Sequence, residues 1–175
     1  MTKEADRILL IGMMGAGKTT VARELARRTG WPVVDNDDLV RRLTGREPAA
    51  IAVEDGADAL HDAEAAGLVE ALDMPAPLIV GVAGAMVERP DAREMLRAAG
   101  HVVWLRARAE TLRERIGGGA ERRPEAVDPA WLAARATERE PLYREVADQV
   151  IDVDDIGPTE IAAAVLNAVG VPSAG

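Results

Sequence analysis

The sequence predicts an α/β protein built on a parallel sheet with helices on both faces. Three observations carry this prediction. Short, almost wholly apolar runs recur along the chain, at Arg7–Ile11, 78–82 and 101–105, without the alternation of a one-sided strand. Segments with helical spacing of apolar residues separate these runs. The first run ends in glycines that open directly into such a segment.

Taken in order, Arg7–Ile11 is a buried strand. Over 18–28, Val21, Ala22, Leu25 and Ala26 recur at helical spacing, and Gly30 and Pro32 close that helix. Val33 and Val34 form a short second strand. Asp35, Asn36, Asp37 and Asp38 follow it, then a helix over 39–43 that stops near Gly45, with Asp37 or Asp38 suited to its N-cap. Residues 47–73 are helical with a break at Asp55 and Gly56. Their stripe of Leu60, Ala63, Gly67 or Leu68, Ala71 and Leu72 should face the core. Pro75 and Pro77 turn the chain into the third strand. A helix over 91–99, capped by Gly100, leads to the fourth strand and a helix over 109–116. Residues 117–124 are glycine-rich and charged and break all periodicity. A helix over 129–147, a strand over 150–153 and a helix over 158–169 complete the pattern, and 171–175 should fray. With no internal repeat, the 175 residues read as a single domain. The insertions at 35–73 and 117–128 should lie near the carboxyl ends of the strands, where open α/β sheets hold ligands.

A formal net charge of −9 argues against nucleic acid or an anionic membrane as partner. The absence of cysteine excludes disulfides and thiolate metal sites. No signal peptide and no run of membrane-spanning length can be read, so the cytoplasm is the expected compartment. No exposed apolar stripe calls for a subunit partner, and a monomer is expected.

Residues 12–19, Gly-Met-Met-Gly-Ala-Gly-Lys-Thr, match the phosphate-binding loop G-x-x-x-x-G-K-[ST] at every fixed position, between a strand and a helix. Its glycines let backbone amides turn inward around a β-phosphate, and the helix start adds unpaired N–H groups. Gly12, Gly15, Ala16, Gly17, Lys18, Thr19 and Thr20 are the nucleotide-binding set. Lys18 should reach the β- and γ-phosphates, and the Thr19 hydroxyl should hold Mg²⁺. The loop alone does not separate a small-molecule kinase from other nucleotide-binding proteins, although no guanine-reading N-K-x-D is present.

At this point the chain resembles the shikimate kinases, within the nucleoside-monophosphate-kinase-like group, over roughly residues 7–168. The loop extended to Thr20, the pair Asp35 and Asp37, the strand from His101, Arg122-Arg123-Pro124, and the stretch from Arg139 through Pro141-Leu142-Tyr143 to Ala147 carry the resemblance. It implies a three-layer sandwich with a five-stranded parallel sheet of order 2-3-1-4-5, a substrate-binding helical region at about 35–73 and a lid at about 117–128. It also implies transfer of the ATP γ-phosphoryl group to a hydroxyl of a small carboxylated ring, with ATP and Mg²⁺ as cofactors. Asp35 matches the acid that holds Mg²⁺ through water. Asp37 matches the one that binds ring hydroxyls and orients or deprotonates the nucleophile. Arg139 matches a carboxylate-binding arginine, Arg123 the lid arginine over the transferring phosphate with Arg122 as competitor, and Arg115 the adenine-stacking arginine, with 153–158 on the other side of the base.

Two departures bear on the acceptor. Where the family carries a second carboxylate arginine, this chain has His61, in Asp55-Gly56-Ala57-Asp58-Ala59-Leu60-His61. A histidine can bind substrate there but lacks a permanent bidentate fork. Where the family has three glycines, Ala83-Gly84-Ala85 stands. Gly84 could still present its N–H to substrate, while the added methyls narrow the pocket or forbid positive φ. Losing a buried bidentate partner costs about 2–5 kcal/mol, so a cyclitol, sugar or sugar acid is an alternative acceptor. A non-catalytic nucleotide-binding paralogue is the other alternative. Glu54, Asp58, Asp62 and Glu64 read as a solvated acidic face, His101 as structural, and Trp31, Trp104 and Trp131 as packing residues.

Overall fold

The computed structural model describes residues 6–116 and 128–172. The expected lid, with Arg122 and Arg123, lies almost entirely outside them.

The strands β1 (Arg7–Ile11), β2 (Val33–Asp35), β3 (Leu78–Gly81), β4 (His101–Arg106) and β5 (Gln149–Asp152) form one parallel sheet of order β2-β3-β1-β4-β5. β1, β3 and β4 are buried almost throughout, as the continuous apolar runs require, and the edge strands β2 and β5 are partly exposed. The helices are α1 (Lys18–Thr29), α2 (Asn36–Thr44), α3 (Pro48–Glu54), α4 (Ala57–Asp73), α5 (Pro90–Ala99), α6 (Ala109–Ile116), α7 (Pro129–Val146) and α8 (Pro158–Val169). Proline at the first helical position starts α3, α5, α7 and α8, where its missing N–H costs nothing. α1 ends at Gly30, whose left-handed φ of 73° lets its N–H reach Ala26 O.

Two details differ from the sequence reading. α2 begins at Asn36, and its N-cap is Asp35, whose Oδ1 accepts from Asp37 N at 2.9 Å; neither Asp37 nor Asp38 is the cap. Asp35 ends the strand and Asp37 lies in the first helical turn. A 3-10 turn, Gly84–Glu88, follows β3 where the sequence has no periodicity. As the reading of one helix over 129–147 expects, α7 runs through Pro141, at the loss of one helical hydrogen bond.

Register fixes where the site forms. Asp35 lies beside Gly81 and Leu10 beside Gly81, so the segments after β1, β2 and β3 leave the sheet at one edge. The main core packs on the sheet. A second, smaller apolar cluster of Val40, Ile51 and Leu60 holds α2, α3 and α4 together. No helix among the described residues is long and apolar enough to cross a membrane.

Candidate active site

The phosphate loop leaves β1 through Gly12, with φ 143°. A Cβ there would come within 2.6 Å of Leu105 O, so only glycine fits between loop and β4. Lys18 Nζ donates to two carbonyls of its own loop, Gly12 O at 2.7 Å and Met13 O at 3.0 Å. Burial lowers its pKa to about 8, an effect that the carboxylates of Asp35 and Asp37 oppose. Thr19 Oγ1 donates to Asp35 Oδ2 at 3.1 Å. A hydroxyl and a carboxylate side by side at the phosphate loop fit Mg²⁺, which binds few protein oxygens and takes others from water and substrate phosphates. Among the described residues no cluster of three or more His, Cys, Asp or Glu could hold a metal by itself.

One cavity of about 430 Å³ runs from this loop along the strand ends. Gly15, Gly17, Lys18, Thr19, Thr20, Asp35 and Asp37 line one part, whereas Gly12 and Ala16 are buried beneath it. Ala83, Gly84, Ala85, Leu60, Glu64, Trp131 and Arg139 line the other. Arg115 lies at the loop end. Its guanidinium donates to Ala16 O at 3.1 Å and Val153 O at 3.3 Å, so it ties the loop to the 153–158 segment.

Arg139 is 5 % exposed. Its Nη1 lies 3.5 Å from Met13 Sδ and its Nη2 3.3 Å from Glu88 Oε2. One helical turn on, the Tyr143 hydroxyl donates to Gly84 O at 2.8 Å, and the Tyr143 ring stacks on Trp104 at 5.5 Å. Gly84 is thus pinned beside the arginine: a Cβ on it would meet Gly12 O at 3.1 Å, Tyr143 Oη at 3.3 Å and Arg139 Nη1 at 3.4 Å. Neither Ala83 nor Ala85 has positive φ, so their methyls narrow the cavity without straining the backbone.

His61 is not among the residues that line this cavity. It follows Leu60 by one position, about 100° around the helix, and the α4 residues that face the cavity are Leu60 and Glu64. Glu64 is only 5 % exposed, which corrects its reading as part of a solvated face; Glu54, Asp58 and Asp62 are exposed. The spacing 60, 64, 67, 68 is that of a single helical face and could have revealed it. Trp131 lines the cavity as well as packing. Met13 and Glu88, both against Arg139, carried no sequence signal, because only the fold brings them there. His101 is structural, with Nε2 3.0 Å from Gln149 Oε1 at the start of β4.

The family model for shikimate kinase matches residues 14–170. A shikimate kinase of Symbiobacterium thermophilum is 38 % identical over 163 residues, covering 91 % of this chain and 93 % of its own. One from Chromobacterium violaceum is 37 % identical over 155 residues, covering 87 % and 83 %. The solved shikimate kinase of Acinetobacter baumannii in complex with shikimate superposes with a TM-score of 0.84 at 29 % identity, covering 93 % of this chain and 92 % of its own.

Proposed function

The chain belongs to the shikimate kinase family, and we propose that it transfers the γ-phosphoryl group of ATP to a hydroxyl of shikimate or a shikimate-like ring compound. The observation that carries this reading is the single cavity joining an intact phosphate loop to Asp37, Gly84 and Arg139.

Lys18 moves its charge from the loop carbonyls to the β- and γ-phosphate oxygens. Thr19 and Asp35 would hold Mg²⁺, which would supply positive charge to the phosphate oxygens. Arg139 binds the acceptor carboxylate beside the Gly84 N–H, and Asp37 accepts a hydrogen bond from the reacting hydroxyl. The hydroxyl oxygen forms a bond to the γ-phosphorus as the bond from that phosphorus to the β–γ bridging oxygen breaks. ADP leaves with the electron pair, and the hydroxyl proton passes to Asp37 and then to solvent. Arg115 packs against the adenine, and Arg123 in the lid segment offsets charge on the transferring phosphoryl group. The protein acts as a monomer in the cytoplasm on a small-molecule substrate.

A second reading, a polyol acceptor without a carboxylate, is favoured by the acidic surroundings of the acceptor end. Glu64 lines it, Glu88 already engages Arg139, and Arg41, which also reaches the cavity, is held by Glu47 and Asp38. Acceptor-dependent ADP release with Mg·ATP decides between the two. Turnover on shikimate that exceeds every cyclitol, sugar and sugar acid in a panel supports the main reading. Silence on shikimate with turnover on an uncharged polyol replaces it by the second.

A further inference from the structure

Glu88 ends the 3-10 turn that follows β3, and nothing in the family resemblance gives it a task. Its Oε2 lies 3.3 Å from Arg139 Nη2 and its Oε1 3.5 Å from Arg135 Nη1. Nη1 of Arg139 donates to Met13 Sδ and lies beside Gly84, the Tyr143 hydroxyl also interacts with the guanidinium, and its buried Nε has no hydrogen-bond partner among the described residues. The guanidinium therefore reaches the acceptor end with its Nη2 edge already held by a carboxylate and its charge shared.

We infer that Glu88 is a specificity-determining residue: by occupying the Nη2 edge of Arg139 it lowers the affinity of the site for acceptors that carry a carboxylate. An incoming carboxylate has two ways to bind. It takes a single edge of the fork while a like charge sits on the other edge, or it displaces Glu88 towards Arg135. Both weaken binding relative to a free fork, and neither touches an acceptor without that charge. The inference rests on the reading of Arg139 as the acceptor-side ligand.

The test is calorimetric binding of shikimate and of its uncharged methyl ester to the full chain, saturated with a non-hydrolysable Mg·ATP analogue. The proteins compared are wild type, Glu88→Gln and Arg139→Lys, with Glu88→Ala in place of the glutamine variant if that variant does not fold. Affinity for the nucleotide analogue reports the folded state. Glu88→Gln should tighten shikimate by about 5- to 50-fold and change the methyl ester by less than about twofold. Binding of shikimate to the variant where wild type shows none counts as the same result. Equal tightening of both ligands would mean that the residue only shapes the pocket, and it would overturn the inference. So would unchanged or weaker shikimate binding, or no binding to either protein. Shikimate binding to wild type that Arg139→Lys leaves unaltered would instead remove the reading of Arg139, and the inference with it.

Discussion

Lys18 is held in a state that favours function over stability. Its ammonium sits in a concave wall with two backbone carbonyls as its acceptors among the described residues, and burial brings its pKa down to about 8 from the ordinary 10.5. Between those values the unfolded chain binds more protons than the folded one, so stability rises with pH through that window; at pH 7 the folded state carries the whole cost of the buried charge. Lys18→Met should accordingly stabilise the nucleotide-free protein at pH 7 by about 1–2 kcal/mol, once the two lost hydrogen bonds are set against the charge. The same change should abolish acceptor-dependent ADP release. Urea titrations at pH 7 and pH 10 measure the first effect, and the gain should shrink at the higher pH. A variant less stable than wild type at pH 7 would mean that the carbonyl contacts outweigh desolvation. At this scale the sequence was informative wherever chemistry is written in fixed spacing. The loop from Gly12 to Thr20 was legible in full, and Asp35, Asp37 and Arg139 were placed by the resemblance; all three line the cavity. Glu64 was written in the spacing of the buried face of α4 but was read as solvated. Glu88, Met13 and Trp131 were not legible as site residues: they come from three different segments, and no local pattern records that the fold brings them together.

Among the elements, the pair α2 and α4 shapes the end of the cavity lined by Leu60 and Glu64, the proposed acceptor end. α4 approaches α2 through Gly67, whose missing side chain leaves room for Asn36 and Leu39. A Cβ there would come within 3.2 Å of Asn36 Nδ2 and 3.3 Å of Leu39 Cβ. Asn36 has little freedom to yield, because it is buried and its Nδ2 donates to Glu64 O at 3.0 Å. Gly67→Ala would gain up to about 1 kcal/mol of helix propensity in a free helix. In this packing the crowding should win, for a net loss of about 1 kcal/mol, and α4 should shift enough to raise the KM for the acceptor while the KM for ATP stays put. Thermal melts with steady-state kinetics check both parts; a stabilised variant with wild-type kinetics would mean that the helices separate at little cost. Strands and helices were legible because apolar runs buried on both faces look different from helical stripes. What escaped was set by side-chain caps and non-periodic backbone. Asp35 caps α2 two or three residues earlier than composition suggested, and the Gly84–Glu88 turn has too few residues for any period. Arg46, paired with Glu54 and Asp55, clasps the break between α3 and α4, and that break was visible as Asp55-Gly56.

For the whole molecule, the order β2-β3-β1-β4-β5 places the phosphate loop at the centre of the sheet, and the cavity borrows from α1, α2, α3, α4, α6 and α7 as well as from the strand ends. A ligand in that cavity contacts segments far apart in sequence, so it binds the folded chain and not the unfolded one, and its binding free energy adds to global stability. Mg·ATP at about 100 times its Kd should stabilise the protein by about 2.7 kcal/mol. For a chain of this size that raises Tm by about 5–10 °C, with about 1.4 kcal/mol more for each further tenfold in concentration. Lys18→Met should start from a higher Tm and lose most of this shift, which separates the stability of the loop from its affinity for phosphate. Scanning calorimetry over a series of Mg·ATP concentrations reads both proteins in one experiment. The small apolar cluster of Val40, Ile51 and Leu60 makes the outcome informative in a second way, because it gives α2, α3 and α4 a core of their own. A single transition that moves as a whole with nucleotide means that this helical region unfolds with the sheet. Two transitions, of which only the later responds to Mg·ATP, would mean that the acceptor end melts first and that nucleotide binding does not depend on it.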